Sequence, residues 1–227
     1  MSAASLAPLH TRIVRSPKAR MPPDTLVLLL HGYGAPGDDL VALADALAPP
    51  PHVALVFPAA PLTPPALGGF GRAWWPLDIE RLLGGDVALL REEPAGLEDA
   101  RRALHACLSA VRAELDAACA KLILGGFSQG AMTALDFALE DGMQAGALWL
   151  MSGAPMCAAR WSERLPRLKG VPVLQSHGRQ DAVLPFAAAE ALRDQLCAAG
   201  CVHQWLPFDG GHGISAEMVA AMRAGLP

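Results

Sequence analysis

The chain has no Cys-x-x-Cys pair, no cluster of basic residues and no long uninterrupted apolar run. Each absence removes a class of function. The five cysteines, Cys107, Cys119, Cys157, Cys197 and Cys201, are odd in number and scattered. That pattern fits reduced thiols in a cytoplasmic compartment, not a disulfide framework or a zinc module. Cys197 and Cys201 have a helix-face spacing, but Gly200 lies between them, and they read as small apolar residues. Charged residues make up only 18% of the chain and the net charge is −4. A nucleic-acid or anionic-membrane partner would call for the opposite balance. The first twenty residues lack the continuous apolar core of a signal peptide, and no stretch is clean enough to cross a bilayer. The expectation is a cytoplasmic protein without stable membrane insertion.

What is present is a large apolar complement. Hydrophobic residues reach 52% of 227, enough for one sizeable domain spanning residues 1–227. Short apolar runs cover 26–30, 53–57, 122–124, 147–151 and 171–174. They are continuous rather than alternating, as in strands covered on both faces. A sixth run, 203–208, alternates. Helical patterns lie between them. From Leu97 to Cys119, apolar residues recur every three or four positions, with Arg101, Arg102, Arg112 and Glu114 off that stripe. Residues 129–139 and 186–196 also read as helices, the second ended by Gly200. Asp38 or Asp39 is expected to cap a helix through Leu47, and another helix begins near Ser215. This alternation predicts an α/β fold with a mostly parallel sheet and helices on both faces. No repeat or second domain is visible. Only Pro58 to Gly96 breaks the rhythm, with many Pro and Gly and the pair Trp74-Trp75. Such a stretch in a compact domain predicts a functional segment, here a pocket wall or a lid.

Gly126-Phe127-Ser128-Gln129-Gly130 fits G-x-S-x-G, with a strand before it and a helix after it. That context predicts a nucleophile elbow, with the serine hydroxyl raised above the sheet edge. The hydroxyl needs a base, and the base needs an orienting carboxylate. In this fold the chain order is serine, acid, histidine. Only His203 and His212 follow all the later strands, and His212 sits in the glycine-rich loop DGGHGIS. His212 is therefore the expected base. Asp181, in SHGRQDAVLP, is the expected acid. Asp209 competes, but three residues before His212 it is badly placed to grip the imidazole. The expected oxyanion hole is the main-chain N–H of Gln129 and that of Tyr33 in HGYGAPGDD. His31 is expected to shape that loop. The Gln129 side chain is expected to matter little beside its N–H.

The motifs LLLHGYGAPGDDL, VFPAAP, GRAWWPLD, LGGFSQGAM, MSG, HGRQDAVLP and GGHGI occur in this order between Leu26 and Ile214. In these the chain resembles the phospholipase/carboxylesterase family of α/β-hydrolases, which includes acyl-protein thioesterases and small bacterial carboxylesterases. The resemblance implies the α/β-hydrolase fold, a triad of Ser128, Asp181 and His212, and an oxyanion hole from Tyr33 and Gln129. It implies a serine esterase acting on small-molecule acyl esters or thioesters of short to medium chain, with no cofactor or metal. Lysophospholipase action, dienelactone hydrolysis or a non-catalytic binding scaffold are the alternatives. Monomer and homodimer both remain open. The chain departs from the family pattern at Tyr33, at Trp75-Pro76-Leu77-Asp78 and at MSGAPM, all expected to line the acyl or alcohol pocket. Trp74 and Trp75 read equally well as pocket wall or as core, and Leu67, Phe70, Leu77, Met156 and Leu184 are weaker pocket candidates.

Overall fold

A computed structural model describes residues 9–86, 88 and 91–227. Among these residues seven strands form one sheet: β1 (Thr11–Arg15), β2 (Thr25–Leu30), β3 (Val53–Pro58), β4 (Lys121–Phe127), β5 (Ala147–Met151), β6 (Pro172–Gly178) and β7 (Val202–Phe208). Their order is β1-β3-β2-β4-β5-β6-β7, parallel except for β1, which runs antiparallel to β3. Six of the seven were expected. The strand added by the structure is β1, a half-buried edge reading TRIVR. The central strands β2 and β3 are buried at every residue, as their unbroken apolar runs require.

Seven α-helices occur among the described residues: α1 (Leu43–Leu47), α2 (Ile79–Leu83), α3 (Leu97–Glu114), α4 (Gln129–Ala138), α5 (Ala158–Arg164), α6 (Phe186–Ala198) and α7 (Ala216–Ala224). Helix α3 buries Leu97, Ala100, Leu104, Leu108 and Val111 on one stripe. Arg101 departs from the expected solvent face and is buried on that helix. The reason is charge pairing. Arg101 bonds to the fully buried Asp136 of α4 at 2.8 Å and to Glu93 at 2.6 Å. Asp136 also accepts from Arg160 at 3.1 Å and from the Trp161 indole at 2.9 Å, tying α5 to the same centre. A buried charge survives only when paired in this way.

The cap expected at Asp38 or Asp39 is absent. Asp38 precedes a 3₁₀ turn (Asp39–Ala42) without a side-chain capping bond, and α1 follows only at Leu43. Ser215 does cap α7, accepting from the Met218 N–H at 3.1 Å. Gly200 adopts a left-handed φ of 83° just past α6, the geometry that ends a helix.

Chain direction across the sheet reverses around β2. Strand β3 lies on one side of it, and β4 and all later strands lie on the other. In sheets of this kind ligands bind beyond the carboxyl ends of the strands at such a switch point. The loops after β2 and β4 meet there, because Leu30 pairs with Gly126 in register.

Candidate active site

Ser128 stands at the junction of β4 and α4 with φ 54° and ψ −119°. A non-glycine residue rarely holds a positive φ, and its surroundings must impose it. They do so through close packing. A β-carbon on Gly130 would lie 2.0 Å from the Leu30 carbonyl oxygen, and one on Gly126 would lie 2.5 Å from it. Only glycine permits β2, β4 and α4 to approach this closely. The Ser128 N–H donates to the Met151 carbonyl at 2.8 Å, which fixes the turn to β5.

Next to this elbow lies the loop after β2. Gly34 N–H donates to the Arg72 carbonyl at 2.8 Å and Arg72 N–H donates to Ala35 at 2.9 Å. His31 is buried beneath the loop. Its Nε2 accepts from the Ala60 N–H at 2.9 Å, so Nδ1 carries the proton and donates to the Gly32 carbonyl at 2.8 Å. Burial, foremost, holds the His31 pKa below its ordinary value. Neither the Tyr33 N–H nor the Gln129 N–H has a hydrogen-bond partner among the described residues. Both residues line the same cavity as Ser128.

Asp181 lies in the loop after β6 and His212 in the loop after β7. The two meet at 2.7 Å, His212 Nδ1 against Asp181 Oδ2. The other carboxylate oxygen, Oδ1, accepts from the Val183 and Leu184 N–H groups at 2.8 and 2.9 Å. Burial opposes ionisation of Asp181, but hydrogen bonds from His177, His212 and the Leu184 N–H outweigh it. The net effect holds the carboxyl well below the usual carboxylate range. Asp209, the competing acid, points away into solvent beside Arg179 at 3.6 Å. The His212 loop is braced from two sides. Ser152 donates from Oγ to the Gly213 carbonyl at 2.8 Å. A β-carbon on Gly178 would sit 2.1 Å from the Gly211 carbonyl. Phe127 packs its ring 4.8 Å from the imidazole of His212.

Ser128, His212, Tyr33 and Gln129 thus border one cavity of about 340 Å³, with apolar walls from Leu67, Leu77, Ile79, Leu82, Met132 and Leu184. The irregular segment supplies several of these walls through Leu67, Leu77 and α2. The tryptophans within it are core: Trp74 and Trp75 are fully buried. Phe70 is 88% exposed, and Met156 lines a separate cavity with Ala154, Pro155 and Pro185. So of the three divergent places in the sequence, Tyr33 and Leu77 border the Ser128 cavity, and MSGAPM does not. Val87, Leu89 and Leu90 of the irregular segment lie outside the described residues.

The elbow also holds the irregular segment. The Gln129 side chain is buried, accepting from the Trp74 N–H at 2.9 Å and donating to the Trp75 carbonyl at 2.8 Å. It locks the irregular segment to the elbow. Local spacing gives no sign of this clasp, because both partners lie more than fifty residues earlier in the chain.

Cys157, just beyond β5, is buried, and burial leads the effects that push its thiol up to about 12, so it is no competing nucleophile. No group of three or more metal-ligating side chains occurs among the described residues, nor is any helix among them long and apolar enough to cross a membrane.

Residues 11–226 match the family model described as Phospholipase/Carboxylesterase. The acyl-protein thioesterase 1 of Eremothecium gossypii is 28% identical over 219 residues, covering 92% of this chain and 89% of the relative. That of Schizosaccharomyces pombe is 27% identical over 203 residues, covering 86% of this chain and 87% of the relative. Among solved structures, esterase PE8 superposes with a TM-score of 0.82 at 32% identity, over 96% of this chain and 97% of that one. Acyl-protein thioesterase 2 of Zea mays shares the fold, with a TM-score of 0.68 at 24% identity over 95% and 96% of the two chains. The chain belongs to the phospholipase/carboxylesterase family of α/β-hydrolases and is a hydrolase of acyl esters or thioesters.

Proposed function

We propose that the protein is a serine esterase with Ser128 as nucleophile, His212 as general base and acid, and Asp181 as the orienting carboxylate. The observation that carries this reading is the 2.7 Å contact between His212 Nδ1 and buried Asp181, with His212 bordering the same cavity as Ser128. With Nδ1 engaged, Nε2 is the nitrogen left to work on the serine proton.

His212 takes the Ser128 proton as Oγ attacks the acyl carbonyl. The oxygen becomes an anion held by the Tyr33 and Gln129 N–H groups, where one such donor is worth about 10²–10³ in rate. His212 then protonates the departing alcohol or thiol. Water, activated by the same imidazole, releases the acid from the acyl-enzyme. Asp181 remains a carboxylate throughout, fixing the imidazole tautomer and offsetting its transient charge.

A cavity of about 340 Å³ lies at the lower end of the range for ligand pockets, roughly 300–1,000 Å³. Its apolar walls suit short to medium acyl chains. The relatives named thioesterases bring thioesters into the same substrate series.

The test is a rate series over aryl esters and acyl thioesters of increasing length, beside fluorophosphonate labelling. Ser128→Ala should abolish labelling and lower kcat/KM by about a million-fold. Unlabelled, folded wild-type protein would sink the reading. A rate that climbs steadily into long chains and with micelles would replace it with lysophospholipase action.

A further inference from the structure

The Asp181 carboxylate carries a second histidine. His177, at the end of β6, places Nε2 3.1 Å from Asp181 Oδ2, the same oxygen that His212 engages. The side chain is fully buried. Its Nε2 also lies 2.9 Å from the Leu184 carbonyl. Both neighbours are acceptors, so Nε2 bears the ring proton and shares it between them. Nδ1 is then a bare acceptor, and it has no partner among the described residues.

An unpaired buried nitrogen is normally selected against, and the fold has not removed it by using Phe or Leu here. Packing alone does not account for a histidine at this position; the donor at Nε2 does. Asp181 sits in the tight turn that follows β6, four residues from His177. Its Oδ1 is already fixed by the Val183 and Leu184 N–H groups. A donor on Oδ2 completes a rigid frame on both oxygens. It also shares the carboxylate charge between two imidazoles. Arg179, two residues beyond His177, faces exposed Asp209 at 3.6 Å.

We propose that His177 is a positioning residue for the reaction: its Nε2–H fixes the Asp181 carboxylate against rotation and draws off part of the charge that would otherwise act on His212. This rests on the triad reading given above.

The experiment compares His177→Phe, which keeps the volume and removes the donor, with His177→Gln, whose amide N–H can replace it. In the Phe variant kcat/KM for an acyl ester should fall about 10- to 100-fold, as misplaced catalytic groups do, with KM little changed. Its acid limb of kcat/KM against pH should move upward, because the full Asp181 charge now acts on the imidazole of His212. The Gln variant should restore both rate and profile towards wild type. A folded Phe variant with wild-type rate and profile overturns the proposal, and so does a Gln variant as impaired as the Phe one. If the Phe variant does not fold, ¹⁵N-histidine NMR of the unsubstituted protein decides. Protonated Nε2 and bare Nδ1 at His177 support the proposal, and a proton on Nδ1 overturns it. Failure of the triad itself would look different: wild-type protein inert towards esters and unlabelled by fluorophosphonate, with the His177 tautomer unaffected.

Discussion

The Gln129 side chain accepts the Trp74 N–H at 2.9 Å, so the residue that follows the nucleophile also anchors a segment more than fifty positions away. Its amide completes the grip on the Trp75 carbonyl, and Trp75 in turn donates its indole N–H to Thr133 of α4 at 3.2 Å. Trp74 donates its own indole N–H to the His31 carbonyl at 2.9 Å. The elbow, the loop after β2 and the irregular segment therefore form one hydrogen-bonded body. Displacing any member should disturb the other two.

Gln129→Ala tests this coupling. It strands a buried N–H and a buried carbonyl, each costing about 1–3 kcal/mol, and leaves a cavity. The expected destabilisation is about 2–4 kcal/mol in urea unfolding. Activity should fall by about tenfold to a hundredfold as the wall and the oxyanion loop shift, well short of the Ser128→Ala loss. Unchanged stability would show that the clasp carries no weight.

Asp181 makes the acid range informative. Its pKa is held well below the ordinary range in the folded protein, with desolvation opposing and hydrogen bonds from His177 and His212 prevailing. A depressed folded pKa means the unfolded state binds the proton first as pH falls. The stabilisation is fully present above the unfolded value of about 3.9. It is lost as pH drops below that value and through the lower folded one. Wild-type stability should therefore decline more steeply below about pH 4 than that of Asp181→Asn. At neutral pH the same substitution should cut kcat by about 10³- to 10⁴-fold through the wrong imidazole tautomer. Parallel stability curves for the two proteins at low pH would contradict the assigned ionisation.

Asp136 separates stability from chemistry. It sits on α4, well along the helix from Ser128, and accepts from Arg101, Arg160 and Trp161 with no exposure to solvent. Asp136→Ala leaves buried Arg101 with only Glu93 at 2.6 Å and the more distant Glu140 at 3.6 Å. Breaking a buried ion pair in this way costs about 3–5 kcal/mol. The thermal midpoint should drop sharply, while activity per folded molecule, titrated with fluorophosphonate, stays near wild type. A selective loss of turnover in folded protein would instead place the network in the site.

How much of this was legible depends on the range of the interaction that fixes each feature. Strands β2 to β6 announce themselves because burial on both faces demands unbroken apolar runs. Strand β1 does not, since an edge strand with Arg12 and Arg15 exposed needs no such pattern. Ser128, Asp181 and His212 stand out through loops of unusual composition after apolar strands. The Gln129 clasp, the burial of Arg101 and the second histidine on Asp181 were invisible. Each is a contact made across the fold, and local spacing carries no trace of its partner. Trp74 and Trp75 illustrate the same limit: composition marked them as important but could not tell wall from core.

Ser152 offers a last, local test. It follows β5 directly with a positive φ of 49°, and its N–H donates to the Ser176 carbonyl at 2.9 Å. With the backbone so held, Oγ reaches the Gly213 carbonyl at 2.8 Å, one residue from His212. The bond bridges the carboxyl end of β5 to the loop that carries the imidazole. Ser152→Ala removes it without adding bulk, and it strands a carbonyl beside His212. The expected cost is about 1–2 kcal/mol of stability. The kinetic effect should be a fall of about tenfold in kcat with KM unchanged, since the imidazole and not the pocket wall loses its brace. Ser152→Gly should match Ser152→Ala in rate and be at least as stable, because it relieves the strained φ but omits the same donor. A variant that raises KM and spares kcat would mean that Ser152 shapes substrate binding rather than the base.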